Sequence, residues 1–225
     1  MWFAGEASFY TNGRVECHNV VYLSENPDSP ESRRAPPPST SCVTVWAAFN
    51  SRTILGPYIS MGHANKPTYH LFLKKFAYEL RQIQRLQLKL YDPRFMHDDN
   101  HLHEGSEEIL NEEFPDAWIG PGSAESTWPK LSPDMHPVCF FLWGYIKSRI
   151  YEKPMAEDGT TELSLRIHHA FTEIIPEMLE AASKAYKERL KMVVESDGNL
   201  VDVHDDYENI HIQDDDFEAV RWMSA

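Results

Sequence analysis

The hydrophobic period changes once along this chain, and that change limits the fold more than any other feature. Before Pro67 the apolar residues fall in short runs rich in aromatic and β-branched types, at residues 1–10, 15–23, 43–49 and 54–59, which is the pattern of strands. Asn12-Gly13, between the first two runs, has the composition of a tight hairpin turn, whose central residues take positive φ. From Pro67, a residue suited to the first turn of a helix, Tyr69, Phe72, Phe76, Leu80 and Ile83 recur at helical spacing and predict one amphipathic helix. Residues 88–96 read as a further strand and 104–114 as a helix. Beyond Pro133 come three helical stretches, at 136–151, 163–171 and 176–194. Strands first, then strands alternating with helices, predict an α/β fold: a mixed sheet flanked by helices, with additional helices at the C-terminal end.

The 225 residues, 42% of them hydrophobic and 12% aromatic, suffice for one large domain or two small ones. The stretch 24–41 holds Pro27, Pro30 and Pro36-Pro37-Pro38, so it reads as an exposed, extended loop. The strands beside it are too short to make cores of their own, so a single domain is expected over residues 1–200. The longest apolar run, 138–146, falls far short of the roughly 20 residues of a membrane helix, and no basic segment precedes an apolar one near Met1. A protein without membrane association or secretion signal is expected. Cys17, Cys42 and Cys139 are odd in number and widely spaced, which suits neither a disulfide framework nor a zinc ribbon and fits a reducing compartment.

The formal charge is −14, the wrong sign for a protein that grips nucleic acid over its whole surface. Much of the excess lies in residues 201–225, an acidic tail where Asp202, Asp205, Asp206, Glu208, Asp214, Asp215, Asp216 and Glu218 precede Arg221. Such a tail is either a solvated segment or a partner-binding or DNA-mimicking one. Arg33, Arg34, Lys74, Lys75, Arg81, Arg85, Lys184, Lys187 and Arg189 are the candidates for local basic faces.

Three segments, in order, resemble the catalytic core of mariner-type DNA transposases, which belong to the retroviral-integrase and ribonuclease-H-like superfamily. Trp2-Phe3-Ala4-Gly5-Glu6-Ala7-Ser8-Phe9 is similar to the family's opening strand, F-S-D-E-A-T-F. Phe95-Met96-His97-Asp98-Asp99-Asn100-His101-Leu102-His103 is similar to F-Q-Q-D-G-A-P-P-H. The most specific is Trp128-Pro129-Lys130-Leu131-Ser132-Pro133-Asp134-Met135-His136-Pro137-Val138-Cys139-Phe140-Phe141-Leu142-Trp143-Gly144, which looks like W-P-P-R-S-P-D-L-T-P-L-D-F-F-L-W-G. The resemblance implies a ribonuclease-H-like fold, DNA as partner, magnesium or manganese as cofactor, and the nucleus as location. It also implies a helix-turn-helix region upstream of the core, for which a start at Met1 leaves no room.

Family members cut DNA with two divalent ions held by three carboxylates, since hard cations need oxygen ligands. The resemblance places these carboxylates at Gly5, Asp98 and Cys139. Only Asp98 retains one, as a vestigial catalytic and metal-binding residue: glycine has no ligating side chain, and a thiol is too soft for magnesium or manganese. Glu6 is expected on the opposite face of the strand from Gly5, so its substitution for the missing ligand would require a bulge or a register shift. Asp134 matches a further aspartate of the family and reads as a turn or cap residue, while Asp99 beside Asp98 does not complete a two-ion cage. His97, His101 and His103 suggest a zinc site as an alternative; otherwise His97 and His101 are surface substitutions. Trp118, Trp128 and Trp143 are expected to pack in the core rather than stack on bases.

The expected function is therefore that of a transposase-derived protein that does not cut DNA. The alternatives are a DNA-binding protein, a residual metal-dependent endonuclease, and a protein-interaction module using the Pro-rich loop and acidic tail.

Overall fold

The structure, a computed structural model, describes residues 1–13, 41–86, 92–124, 126–129, 132–155 and 159–198. Strand β1 (Trp2–Tyr10) is the centre of a five-stranded sheet in the order β3-β2-β1-β4-β5. On one side β1 pairs antiparallel with β2 (Cys42–Phe49), which pairs antiparallel with β3 (Ile54–Met61). On the other side it runs parallel to the two-residue β4 (Phe95–Met96), which is parallel in turn to β5 (Trp118–Ile119).

Successive side chains on a strand point to opposite faces, so β1 feeds two separate cores. Trp2 and Ala4 join Trp46, Tyr58 and Phe95 on the face covered by α1 (Lys66–Arg85) and α2 (Glu107–Glu113). Asn65 caps α1, its side chain accepting from the Thr68 N–H at 3.0 Å, and Pro67 occupies the first turn. Phe3 and Phe9 join Val43, Val45 and Phe49 on the other face. That face is covered by a π-helical turn (Val138–Leu142) continuing into α3 (Trp143–Ile150), with α4 (Thr160–Thr172) and α5 (Pro176–Glu195) beyond. Trp118, Trp128 and Trp143 are all buried in these cores. Among the described residues no helix is long and apolar enough to cross a membrane.

The α/β reading of a mixed sheet flanked by helices, with further helices at the C-terminal end, is what the structure shows. The expected strand at 15–23, nearly all of the Pro-rich loop and the acidic tail lie outside the described residues. Of the strand expected at 88–96, residues 88–91 also lie outside the described residues, and within 92–96 only Phe95–Met96 is strand: Pro93 has no N–H for a ladder, and the Asp92 carboxylate captures the Arg94 N–H at 3.0 Å in a local turn. The helix expected at 104–114 starts only at Glu107, because Gly105 at φ 82° turns the chain after a 3-10 turn at His101–His103. The helix expected from 136 begins as the π-helical turn instead.

Phe76 sits at the centre of the α1-side core, fully buried, with ring centroids 5.3 Å from Trp2, 5.4 Å from Trp46 and 5.8 Å from Phe95. Phe76→Ala is expected to lower the unfolding free energy by about 3–5 kcal/mol in urea titrations. A loss below about 1 kcal/mol would show that this core is not packed as described.

Candidate functional site

The three segments singled out in the sequence meet at the centre of the sheet. Gly5, midway along β1, faces the helical layer that begins with the π-helical turn: a Cβ at Gly5 would lie 2.8 Å from Val138 Cγ2 and 3.9 Å from Trp143 Nε1. Glu6 projects from the other face, on the same side as Ala4, toward the turn that follows β4. Asp98 lies two residues beyond β4, its side chain about one-third exposed at 35%. Cys139 is the second residue of the π-helical turn; it is exposed, and its N–H donates to the His136 carbonyl at 2.8 Å.

The densest polar network in this region centres on Glu6 rather than Asp98. Asn100 Nδ2 donates to Glu6 Oε1 at 2.8 Å, and His103 Nε2 lies 3.2 Å from Oε1 and 3.1 Å from Oε2. His103 Nδ1 faces the Asp98 carbonyl at 2.8 Å and the Asp98 carboxylate at 3.6 Å. Both ring nitrogens therefore face acceptors, and only the imidazolium donates to both. Burial by itself disfavours that cation, but the charge and hydrogen bond of Glu6 outweigh it, with help from Asp98, and the His103 pKa is raised. The turn that places His103 is set by Asn100, whose side chain also accepts from the Leu102 N–H at 3.1 Å.

Asp98 responds in the opposite sense. Partial burial and the negative charge of Glu6 push its pKa up to about 6, against a smaller pull from His103. The surrounding protein and the same two carboxylates raise the Cys139 pKa, although the residue reaches solvent, so at neutral pH it is a thiol.

Hard cations do not fit this arrangement. Gly5 supplies no ligand, and Val138 occupies the space beside it. Glu6 is held by Asn100 and His103 on the opposite face, and Cys139 presents a protonated sulfur. Among the described residues no group of three or more His, Cys, Asp or Glu side chains is arranged to hold a metal ion. Asp134 is a turn residue in the 3-10 turn Pro133–Met135, and Asp99 is exposed.

The histidines do not converge on one point either. His97 is not a surface substitution: it is 1% exposed, its Nδ1 2.7 Å from the Tyr69 hydroxyl and its ring stacked 4.4 Å from His103. The reason is the pairing of β4 with β5, which turns position 97 under Gly120, where a Cβ would lie 2.3 Å from His97 Nε2. His101 is exposed. Two contributors escaped the sequence reading: Tyr69, whose ring packs 4.2 Å from His103, and His136, fully buried, with burial first and the His103 charge second lowering its pKa to about 3. Tyr69 reads in the sequence only as one apolar position of α1.

At the sequence level no family model and no curated protein matches the chain. Solved structures do. The Mos1 transposase catalytic domain with raltegravir and magnesium aligns with a TM-score of 0.56 at 18% identity, over 72% of this chain and 78% of that one. The catalytic domain of the Mos1 mariner transposase gives 0.56 at 17%, over 73% and 78%. A pre-cleavage Mos1 transpososome gives 0.60 at 16%, over 89% of this chain and 56% of that one.

The chain has the fold of a mariner transposase catalytic domain.

That fold is ribonuclease-H-like, and within it β1, the end of β4 and the turn before α3 bring Gly5, Asp98 and Cys139 into one region. Because the Asp98 pKa is raised above the ordinary value of 3.8 to about 6, the protonated form is favoured on folding. That contribution is fully present below the ordinary value and is lost as the pH rises through about 6. Asp98→Asn, fixed in a neutral form, is expected to raise the melting temperature near neutral and alkaline pH and to give no gain in acid below the ordinary carboxylate range. A lower melting temperature at alkaline pH would contradict the assigned electrostatics.

Proposed function

We propose that this chain is a mariner-transposase-derived protein that keeps the catalytic-domain fold without two-cation DNA cleavage. One observation carries the reading: of the three positions to which the resemblance assigns carboxylates, only Asp98 offers an oxygen, while Gly5 and Cys139 offer none. Two metal ions held side by side need several converging anionic oxygens to offset their charge. The nucleus is the location that goes with this origin. Incubation of the purified protein with supercoiled DNA and magnesium or manganese is expected to give no nicking above an Asp98→Ala control. Metal-dependent nicking that Asp98→Ala abolishes would overturn the proposal.

A second reading, DNA binding without cleavage, is supported by the surface of α1. This helix exposes Lys74, Lys75, Arg81 and Arg85, and its one acidic residue, Glu79, accepts from the Tyr58 hydroxyl at 2.8 Å. Lys75 also lies 4.1 Å over the Tyr58 ring, and Arg81 is shared with Glu113. Other candidates contribute less: Arg189 donates to the Asp134 carbonyl at 2.8 Å, Lys184 lies 3.9 Å from Glu188, and Arg33 and Arg34 lie outside the described residues. The similar Mos1 structures include a paired-end complex with the left transposon end. DNA affinity is expected to fall steeply with salt, with a log–log slope of about −0.9 per phosphate neutralised. The slope should become shallower in Lys74→Glu/Lys75→Glu, and an absence of binding at low salt would end this reading. Protein partners of the Pro-rich loop and acidic tail remain a proposal from composition alone.

A further inference from the structure

Of the described helices α1 carries the largest positive excess: Lys66, Lys74, Lys75, Arg81 and Arg85 against Glu79 alone. The equally long α5 sets Lys184, Lys187, Arg189 and Lys191 against Glu177, Glu180, Glu188 and Glu195 and has no excess. The outward residues of α1 form one stripe, because at 3.6 residues per turn Leu71, Lys74, Lys75, Tyr78 and Arg85 share a side of the axis, with Leu86 at its end. Leu71 is 64% exposed, Tyr78 59% and Leu86 69%, so the stripe is apolar as well as basic. Among the described residues Lys74, Lys75 and Arg85 form no ion pair, and Glu79 is held aside by the Tyr58 hydroxyl. Apolar surface bordered by charge in this way marks a docking surface.

The chain itself supplies a complementary segment. Residues 199–225 hold eight carboxylates against a single basic residue, Arg221. Acidic segments that stay solvated are poor in aromatic and β-branched residues. This one interleaves its carboxylates with Tyr207, Ile210, Ile212, Phe217, Val220 and Trp222. Fully drawn out, the 27 residues after Gly198 span on the order of 90 Å, against roughly 40 Å across a domain of this size, so α1 is within reach although α5 packs on the other face of the sheet.

We infer that the acidic segment of residues 199–225 docks on the outward face of α1, its carboxylates on Lys74, Lys75 and Arg85 and its apolar side chains on Leu71, Tyr78 and Leu86. α5 is nearer in the chain but offers no net charge to hold it. A separate acidic partner lacks the advantage of tethering, which sets effective concentrations on the order of millimolar. The docked segment covers the cations that DNA phosphates would contact and so competes with DNA. That consequence, unlike the docking itself, rests on the second reading above.

The test uses the full chain and a zero-length carbodiimide, which joins a lysine amine to a carboxylate in contact with it. Unlabelled and heavy-isotope-labelled protein are mixed equally, so that mass separates links within a chain from links between chains. At low salt Lys74 and Lys75 are expected to link to residues 199–225 within single chains, in excess of the links made by Lys184, Lys187 and Lys191. Leu71→Ser/Tyr78→Ser keeps both lysines and changes only exposed residues, and it should cut these links about tenfold, roughly the loss of one buried apolar side chain. Absent links, equal linking of the α5 lysines, or no effect of Leu71→Ser/Tyr78→Ser would overturn the inference. Links mainly between chains would do so too, by making a second copy the occupant. In a DNA-binding arm, Asp214→Asn/Asp215→Asn/Asp216→Asn is expected to tighten binding about tenfold at low salt, as the freeing of a few cations for phosphate contacts does. Unchanged affinity in a variant that has lost the links would overturn the competition. Links that persist while neither protein binds DNA would end the second reading and uphold the docking.

Discussion

The alternation of side chains along β1 is the constraint on which the rest of this structure depends. It is the central strand, paired on both edges, and each of its faces is committed to a different layer of helices. Adjacent residues at its midpoint therefore meet unrelated surroundings. Gly5 is pressed against Val138, and Glu6 is taken by Asn100 and His103. No relaxation of a single side chain exchanges these faces, because only a one-residue slip does so, and it would send every side chain of the strand into the opposite layer.

The local electrostatics follow from that commitment. With Glu6 held in place, its charge favours His103 as a cation, and Asp98, partly buried and with the like charge of Glu6 nearby, is pushed toward its protonated form. His97 and His136, buried behind them, are held neutral by burial and by the positive charge of His103. A site that binds two divalent cations needs the reverse: several carboxylates with depressed pKa values facing one point. Here the negative charge of Glu6 is spent within the protein, on a histidine and an asparagine. The protein thus pairs Glu6 with His103 internally, in a fold it shares with Mos1 catalytic domains whose structures hold magnesium or manganese.

Much of the fold was legible in the sequence because its signals are local. Tyr69, Phe72, Phe76 and Leu80 state the period of α1 and its buried face, and the aromatic runs state β1, β2 and β3. What was missed depends on tertiary contacts. Strand β5 has two residues and no period to read; it exists because Phe95 and Met96 pair with it. The burial of His97 follows from that pairing and from a glycine at position 120, 23 residues further on. At the site, alternation alone placed Glu6 opposite Gly5. The partners that hold it, Asn100 and His103, are more than 90 residues away in sequence and lie on an irregular turn that propensity does not describe. The contact between Gly5 and Val138 had no sequence signal, since the resemblance marks Gly5 as a lost ligand and says nothing of what packs against it.

The central claim is that the mariner-type fold persists here around a site that does not assemble two cations. Its most direct test is diffraction from crystals of the native protein soaked in Mn²⁺, with anomalous differences recorded around Asp98. The account predicts no pair of manganese peaks between β1, Asp98 and the turn before α3. Two strong peaks about 4 Å apart, each coordinated by protein oxygen, would contradict it.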